Sequence, residues 1–168
     1  MIWNKKFKYP TSTRALINGK RHYDVGTNEK LPSVTTILQA TQSEEKRKKL
    51  AEWRERQGAQ RADRIKDIAG LRGTSMHSYL EGYIKNERHL DLTSIGQEAG
   101  RMAQKVIESG LGDLEEVWGT EVTLYYPGLY AGATDVVGIY DGRESIICLL
   151  YTSPSPRDLS TSRMPSSA

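Results

Sequence analysis

From Glu115 to Leu150 the chain runs through three successive segments rich in β-branched and aromatic residues: EEVWGTEVTLYYPG, LYAGATDVVGIY and RESIICLL. Pro127-Gly128 separates the first two and Asp141-Gly142 the second two. Residues of this kind fit a pleated, half-buried surface, and the intervening dipeptides are turn formers. Asp-Gly in particular favours a two-residue hairpin turn. The stretch therefore predicts a three-stranded antiparallel meander. What precedes it must supply the layer that covers the sheet.

What precedes it is mostly helical in pattern. SEEKRKKLAEWRERQG offers Ser43 as a cap, Glu44 and Glu45 in the first turn and Gly58 as a stop, which predicts one helix. A longer helical stretch runs from about Ala59 to Asn86, with an interruption expected near Gly70 to Gly73. Within it Leu80 and Ile84 share a face, with Met76 one turn earlier. A further helix covers about Thr93 to Ser109 and is closed by Gly110 and Gly112. Nearer the N-terminus, Asn18-Gly19 predicts a small β-hairpin. Ser33, in LPSVTTILQAT, predicts the cap of a short helix whose first turn exposes backbone N–H groups. The fold class is thus mixed α/β, of the α+β kind: an N-terminal hairpin, several helices, then the meander. Its 168 residues suit one domain.

Residues 151–168 differ in kind. They are Ser, Pro, Thr and Arg with few apolar residues, and a disordered tail is expected. LLYTSPSPRDLSTSRMPSSA also resembles translated read-through of a sequencing adapter. That resemblance implies a natural sequence that stops near Ile147, with a domain over 1–150 that is truncated at its C-terminus. A natural disordered tail is the alternative.

Composition narrows the function class. With 37% hydrophobic and 27% charged residues, a soluble protein with a modest core is expected. No apolar run approaches the roughly 20 residues that span a bilayer, so no membrane partner is expected. MIWNKKFKYP lacks the apolar core of a secretory signal. Cys148 is the only cysteine, which excludes an internal disulfide and fits a reducing compartment. A net charge of +3 does not by itself announce a nucleic-acid partner. Yet Lys46, Arg47, Lys48, Lys49, Arg54, Arg56, Arg61, Arg64, Lys66 and Arg72 crowd one stretch. With acidic residues interleaved, that stretch reads either as a solvated helix face or as a surface that meets phosphate.

The meander also carries chemistry. With a two-residue turn at Asp141-Gly142, Asp135 faces position 148, and position 150 lies on the same face. An acid at 148 and a lysine at 150 would join Asp135 in a cluster able to hold Mg²⁺ and activate water. The sequence instead has Cys148, Leu149 and Leu150. In RGTSMHSYLEGYI, Gly73, His77 and Glu81 are spaced to share one helix face. Gly73 permits a close backbone approach, His77 offers a metal-ligating nitrogen, and Glu81 can orient or ligate. By itself this spacing also suits a surface ion pair. Glu121 interrupts an otherwise apolar and aromatic strand, where a solvent-facing carboxylate is the ordinary reading. A tight turn at Pro127-Gly128 puts Glu121 opposite Thr134, and a one-residue bulge would put it beside Asp135.

Taken in order, Leu31-Pro32-Ser33-Val34-Thr35-Thr36-Ile37-Leu38, then Arg72-Gly73-Thr74 with His77 and Glu81, then Glu121, then Gly132-Ala133-Thr134-Asp135, resemble the PD-(D/E)XK nuclease superfamily. Within it they are most similar to the RecB-like exonucleases of tailed phages and to the mitochondrial genome maintenance exonuclease. The resemblance implies a restriction-endonuclease-like core and a metal-dependent DNA exonuclease using Mg²⁺ or Mn²⁺. His77, Glu121 and Asp135 would be its catalytic and metal residues, with Glu81 behind them. Ser33, Thr35, Thr36, Arg72 and Gly73 would contact DNA that is single-stranded or has free ends. A monomer in the cytoplasm, as in a phage-infected bacterium, is implied, with a mitochondrial location left open. The third-motif acid and lysine fall on Cys148 and Leu150 and do not match, so this chain is expected to be an inactive, truncated form. The alternative is a non-catalytic nucleic-acid-binding module in which His77, Glu121 and Asp135 are structural. A zinc hydrolase has less support, since His22, His77 and His89 lack metalloprotease spacing.

Overall fold

In the computed structural model, which describes residues 1–150, Asn18 and Gly19 take left-handed φ values of 51° and 71°. Asn and Gly tolerate that region, and its twist matches paired strands. The turn joins β2 (Thr13–Ile17) to β3 (Lys20–Asp24), and β4 (Leu31–Pro32) adds a third antiparallel strand. Four helices follow: α1 (Val34–Ala40), α2 (Glu44–Gln57), α3 (Ala59–Lys85) and α4 (Ser94–Gly110). Ser33 and Ser43 cap α1 and α2, as their positions predicted, and Thr93 caps α4.

The interruption expected near Gly70 is absent: α3 runs unbroken. Glycine in a helix costs about 1 kcal/mol, which packing can outweigh. Met76, Leu80 and Ile84 are buried at successive turns of α3 and pack with Ala99 and Ala103 of α4. The two alanines let the helices approach closely. The same cluster takes in Val117, Val136 and Leu149 from the sheet side.

That sheet is the predicted meander with one addition. β5 (Leu114–Tyr126), β6 (Tyr130–Tyr140) and β7 (Arg143–Ile147) are antiparallel neighbours, and β1 (Ile2–Trp3) pairs parallel with β5 to make four strands. Two residues are too few to show a strand period, so β1 is invisible in the sequence. The Trp3 indole N–H donates to the Ile84 carbonyl at 2.9 Å and ties this edge to α3.

Register decides where the carboxylates fall. Val136 pairs with Ile147 across the Asp141-Gly142 turn, as predicted. The β5–β6 connection holds three residues rather than two: Tyr126 pairs with Tyr130, Val122 with Thr134 and Thr120 with Val136. Glu121 is therefore level with Asp135, not opposite Thr134. A second small core of Tyr23, Val25, Leu31 and Ala131 seats the three-stranded sheet on β6. No helix of the described residues is long and apolar enough to cross a membrane. The expected disordered tail, residues 151–168, lies outside the described residues.

Candidate metal centre

Burial of Met76, Leu80 and Ile84 fixes the rotation of α3. Each residue advances about 100° around a helix, so Gly73, His77 and Glu81 form the adjoining stripe. All three line an open cleft of about 630 Å³, together with Glu121 and Asp135. His77 Nδ1 lies 3.4 Å from Asp135 Oδ1 and 3.7 Å from Glu121 Oε1. One candidate donor atom from each residue falls within a group no wider than 4.8 Å. A helix, β5 and β6 thus bring three ligand-type side chains to one point.

Two local features aim the carboxylates. Glu121 has φ of 51°, left-handed and uncommon for a residue in a strand. Such a conformation costs on the order of 1–3 kcal/mol and persists only where surroundings impose it. Asp135 Oδ2 accepts from the Leu149 N–H at 2.7 Å, which orients the group and leaves Oδ1 toward His77. Burial pushes the Glu121 carboxyl above its ordinary range, the Asp135 charge adds to this, and Glu81 contributes less. His77 and Arg14 oppose the shift. Carboxylates that raise one another's pKa favour a cation between them.

The donor set fits a hard divalent ion. With bonds near 2.1 Å, neighbouring ligands at right angles sit about 3 Å apart. The observed 3.4 and 3.7 Å from His77 require only a small contraction, and the whole group is no wider than 4.8 Å. Neither separation is a good hydrogen bond, so neither carboxylate is held to His77 by one. One nitrogen and two carboxylates suit Mn²⁺ or Mg²⁺ better than a soft metal.

Beside it lies Cys148, as the hairpin register required. Its thiol is pushed up by burial of the sulfur and by its hydrogen bond to Asp135. Cys148 is exposed as a whole, so the neighbouring carboxylate is the better-founded cause. A protonated thiol is a poor metal ligand. Leu150 is 71% exposed and supplies no charge.

The other sequence-predicted residues divide. Ser33, Thr35 and Gly73 line the cleft, and Gly73 leaves open space where a Cβ would stand. Ser33 is buried, with its hydroxyl engaged by Thr35. The Thr36 hydroxyl donates to the Arg21 carbonyl at 3.2 Å and does not line the cleft. Arg72 turns from the cleft to Glu98 of α4 at 2.6 Å. Glu81 reaches the cleft but bonds Lys85 at 2.6 Å and is outside the three-residue group. That hydrogen bond, above all, raises the Lys85 pKa and keeps the ammonium charged. Arg14 and Arg21, on β2 and β3, line the cleft unpredicted. Nothing in a five-residue strand indicates which distant site it will overlie. No protein-family model matches the chain, and no curated protein matches it significantly.

Proposed function

We propose that His77, Glu121 and Asp135 are the metal-binding half of a PD-(D/E)XK-type deoxyribonuclease centre. The observation that supports this is their convergence, from α3, β5 and β6, within 4.8 Å in an open cleft. Bound there, Mg²⁺ or Mn²⁺ would polarise a scissile phosphate and lower the pKa of the attacking water. The chain's own residues hold and aim the site. His77 supplies nitrogen from a rigid helix, and Asp135 is oriented by the Leu149 N–H. Glu81 is held one turn along α3 by Lys85. The substrate is DNA, single-stranded or with free ends, met in the cytoplasm by a monomer.

In this chain the remaining half of the centre is unsuited to catalysis. Cys148 puts sulfur where a second hard oxygen is needed, and Leu150 has no ammonium group to assist water or steady a phosphate. The 168-residue chain is therefore expected to bind metal and not to cleave. The second reading, a non-catalytic nucleic-acid-binding module, draws its support from these same two positions.

The experiment is a repair. Cys148→Asp with Leu150→Lys is expected to give Mn²⁺-dependent digestion of end-labelled DNA where the parent chain gives none. Asp135→Asn in the repaired background should abolish it. A repaired chain that binds Mn²⁺ and DNA without cleaving would favour the binding module.

A further inference from the structure

The cleft that holds His77, Glu121 and Asp135 is also lined by a hairpin with two arginines, Arg14 and Arg21. Register pairs Arg14 with Tyr23 and Leu16 with Arg21. Residues directly opposed across a ladder share a face, as do residues two apart on one strand. Arg14, Leu16, Arg21 and Tyr23 therefore present one surface. Tyr23 is 3% exposed and packs with Leu31 and Ala131, which turns that surface toward β6 and the cleft. Arg14 and Arg21 both line the cleft that holds His77, Glu121 and Asp135.

The Arg14 guanidinium rests by a ring, the Arg21 main chain is fixed, and neither side chain is ion-paired among the described residues. The Arg14 guanidinium carbon lies 5.9 Å from the centroid of the buried Tyr23 ring. The Arg21 carbonyl accepts from the Ser33 N–H at 3.0 Å and from the Thr36 hydroxyl at 3.2 Å, which fixes its main chain to the start of α1. Among the described residues, Arg54 and Arg72 have acidic partners, whereas the Arg14 and Arg21 side chains have none within 4 Å. Held by its main chain or by a ring, each presents an unused planar fork, the geometry that grips a phosphate through two N–H donors. They form a diagonal cross-strand pair, and such neighbours lie about 7–8 Å apart, close enough to act on adjoining phosphates of one strand. The cleft thus carries carboxylates from α3, β5 and β6 and guanidiniums from the β2–β3 hairpin.

We propose that Arg14 and Arg21 are positioning residues that grip the DNA backbone beside the scissile phosphate, so that a single strand runs between the β2–β3 hairpin and α3. The identity of the ligand rests on the nuclease reading; the grip itself is tested without metal. Fluorescence anisotropy of a labelled single-stranded oligonucleotide across a NaCl series, in EDTA, compares the parent chain with Arg14→Gln/Arg21→Gln. A charge-matched control, Arg88→Gln/Arg101→Gln, before and on α4, removes two charges outside the cleft. The clamp predicts an affinity loss of roughly tenfold or more and a salt slope shallower by about 1.4, because two phosphates of a single strand are no longer neutralised. The control should change neither by more than a small fraction. Arg14→Lys/Arg21→Lys keeps the charge without the fork and should recover the slope but only part of the affinity. Mn²⁺ binding, followed by the loss of the free-ion electron paramagnetic resonance signal, should persist in all four proteins. An unchanged slope in Arg14→Gln/Arg21→Gln, an equal loss in the control, or no binding by the parent chain overturns the clamp. Absence of Mn²⁺ binding instead overturns the metal centre and leaves the clamp standing if the slopes differ as stated.

Discussion

Glu121→Gln should stabilise the metal-free protein and weaken its response to metal, two effects of opposite sign from one substitution. Burial and the Asp135 charge hold the Glu121 carboxyl above its usual range. A raised carboxyl pKa means that the native state binds more protons than the unfolded state through that window. Stability is therefore full below the unfolded-state value and is lost as pH rises through the native one. Two unit charges 4.8 Å apart, the widest spacing within the group, repel by about 0.9 kcal/mol in water and about 3.5 kcal/mol at an effective dielectric of 20. The Glu121 side chain is 41% exposed, so solvent screening favours the lower figure, and the opposing pull of His77 reduces it further. Removing the charge should contribute about 0.5–1 kcal/mol at pH 7, a rise in Tm of roughly 1–4 °C for a chain of this size. At about pH 3.5, where the carboxyl is protonated in both states, the difference should vanish. With Mn²⁺ at about ten times its Kd, the parent chain should gain about 1.4 kcal/mol. Glu121→Gln, which lacks one charged ligand, should gain less than half of that. Differential scanning fluorimetry with and without Mn²⁺ measures both. A fall in metal-free Tm, or equal Mn²⁺ responses, would refute the charge-cluster account.

Other expected outcomes test the frame that carries the site. His77→Ala and Asp135→Asn should each remove Mn²⁺ binding by electron paramagnetic resonance while leaving far-ultraviolet circular dichroism unchanged. Leu80→Ala, at a fully buried position, should cost about 2–5 kcal/mol in urea unfolding and also weaken Mn²⁺ binding, because Leu80 sets the rotation that aims His77. Gly138→Ala should cost about 1–3 kcal/mol by the same measurement, since its Cβ would run into the Glu116 main-chain carbonyl, which cannot rotate away.

What could be read from the sequence was set by local chemistry. Asn18-Gly19 and Asp141-Gly142 fix two-residue turns through backbone conformations that few residues adopt, and both hairpin registers followed. Ser33 and Ser43 cap their helices for the same local reason. Pro127-Gly128 was less decisive, because a proline-glycine turn can take a third residue, and Leu129 joins it. One residue of register separates Glu121 beside Thr134 from Glu121 beside Asp135. The continuity of α3 is not legible in the sequence because glycine propensity at Gly70 and Gly73 is local, while the burial of Met76, Leu80 and Ile84 that overrides it depends on α4.

The site divides along the same line. His77 and Asp135 were legible because each sits on an element whose face is fixed by its own periodicity. Arg72 belongs to the same helix as His77 but five positions earlier, about 140° further round by helical geometry, and it turns to Glu98 on α4. Spacing along α3 therefore separates a residue that can enter the cleft from one that cannot. Arg14 and Arg21 had no such signal. Their β2–β3 face is aimed by Tyr23 meeting Ala131 on β6, a contact across more than a hundred residues of chain. Both halves of the cleft thus depend on β6: Asp135 projects from it, and Ala131, four residues earlier, seats the hairpin that lines the same cleft. A bulkier side chain at Ala131 should displace the guanidiniums without touching a candidate ligand. Ala131→Leu is expected to lower single-strand affinity in EDTA and to leave Mn²⁺ binding intact; loss of both together would mean that the two walls are not separately built.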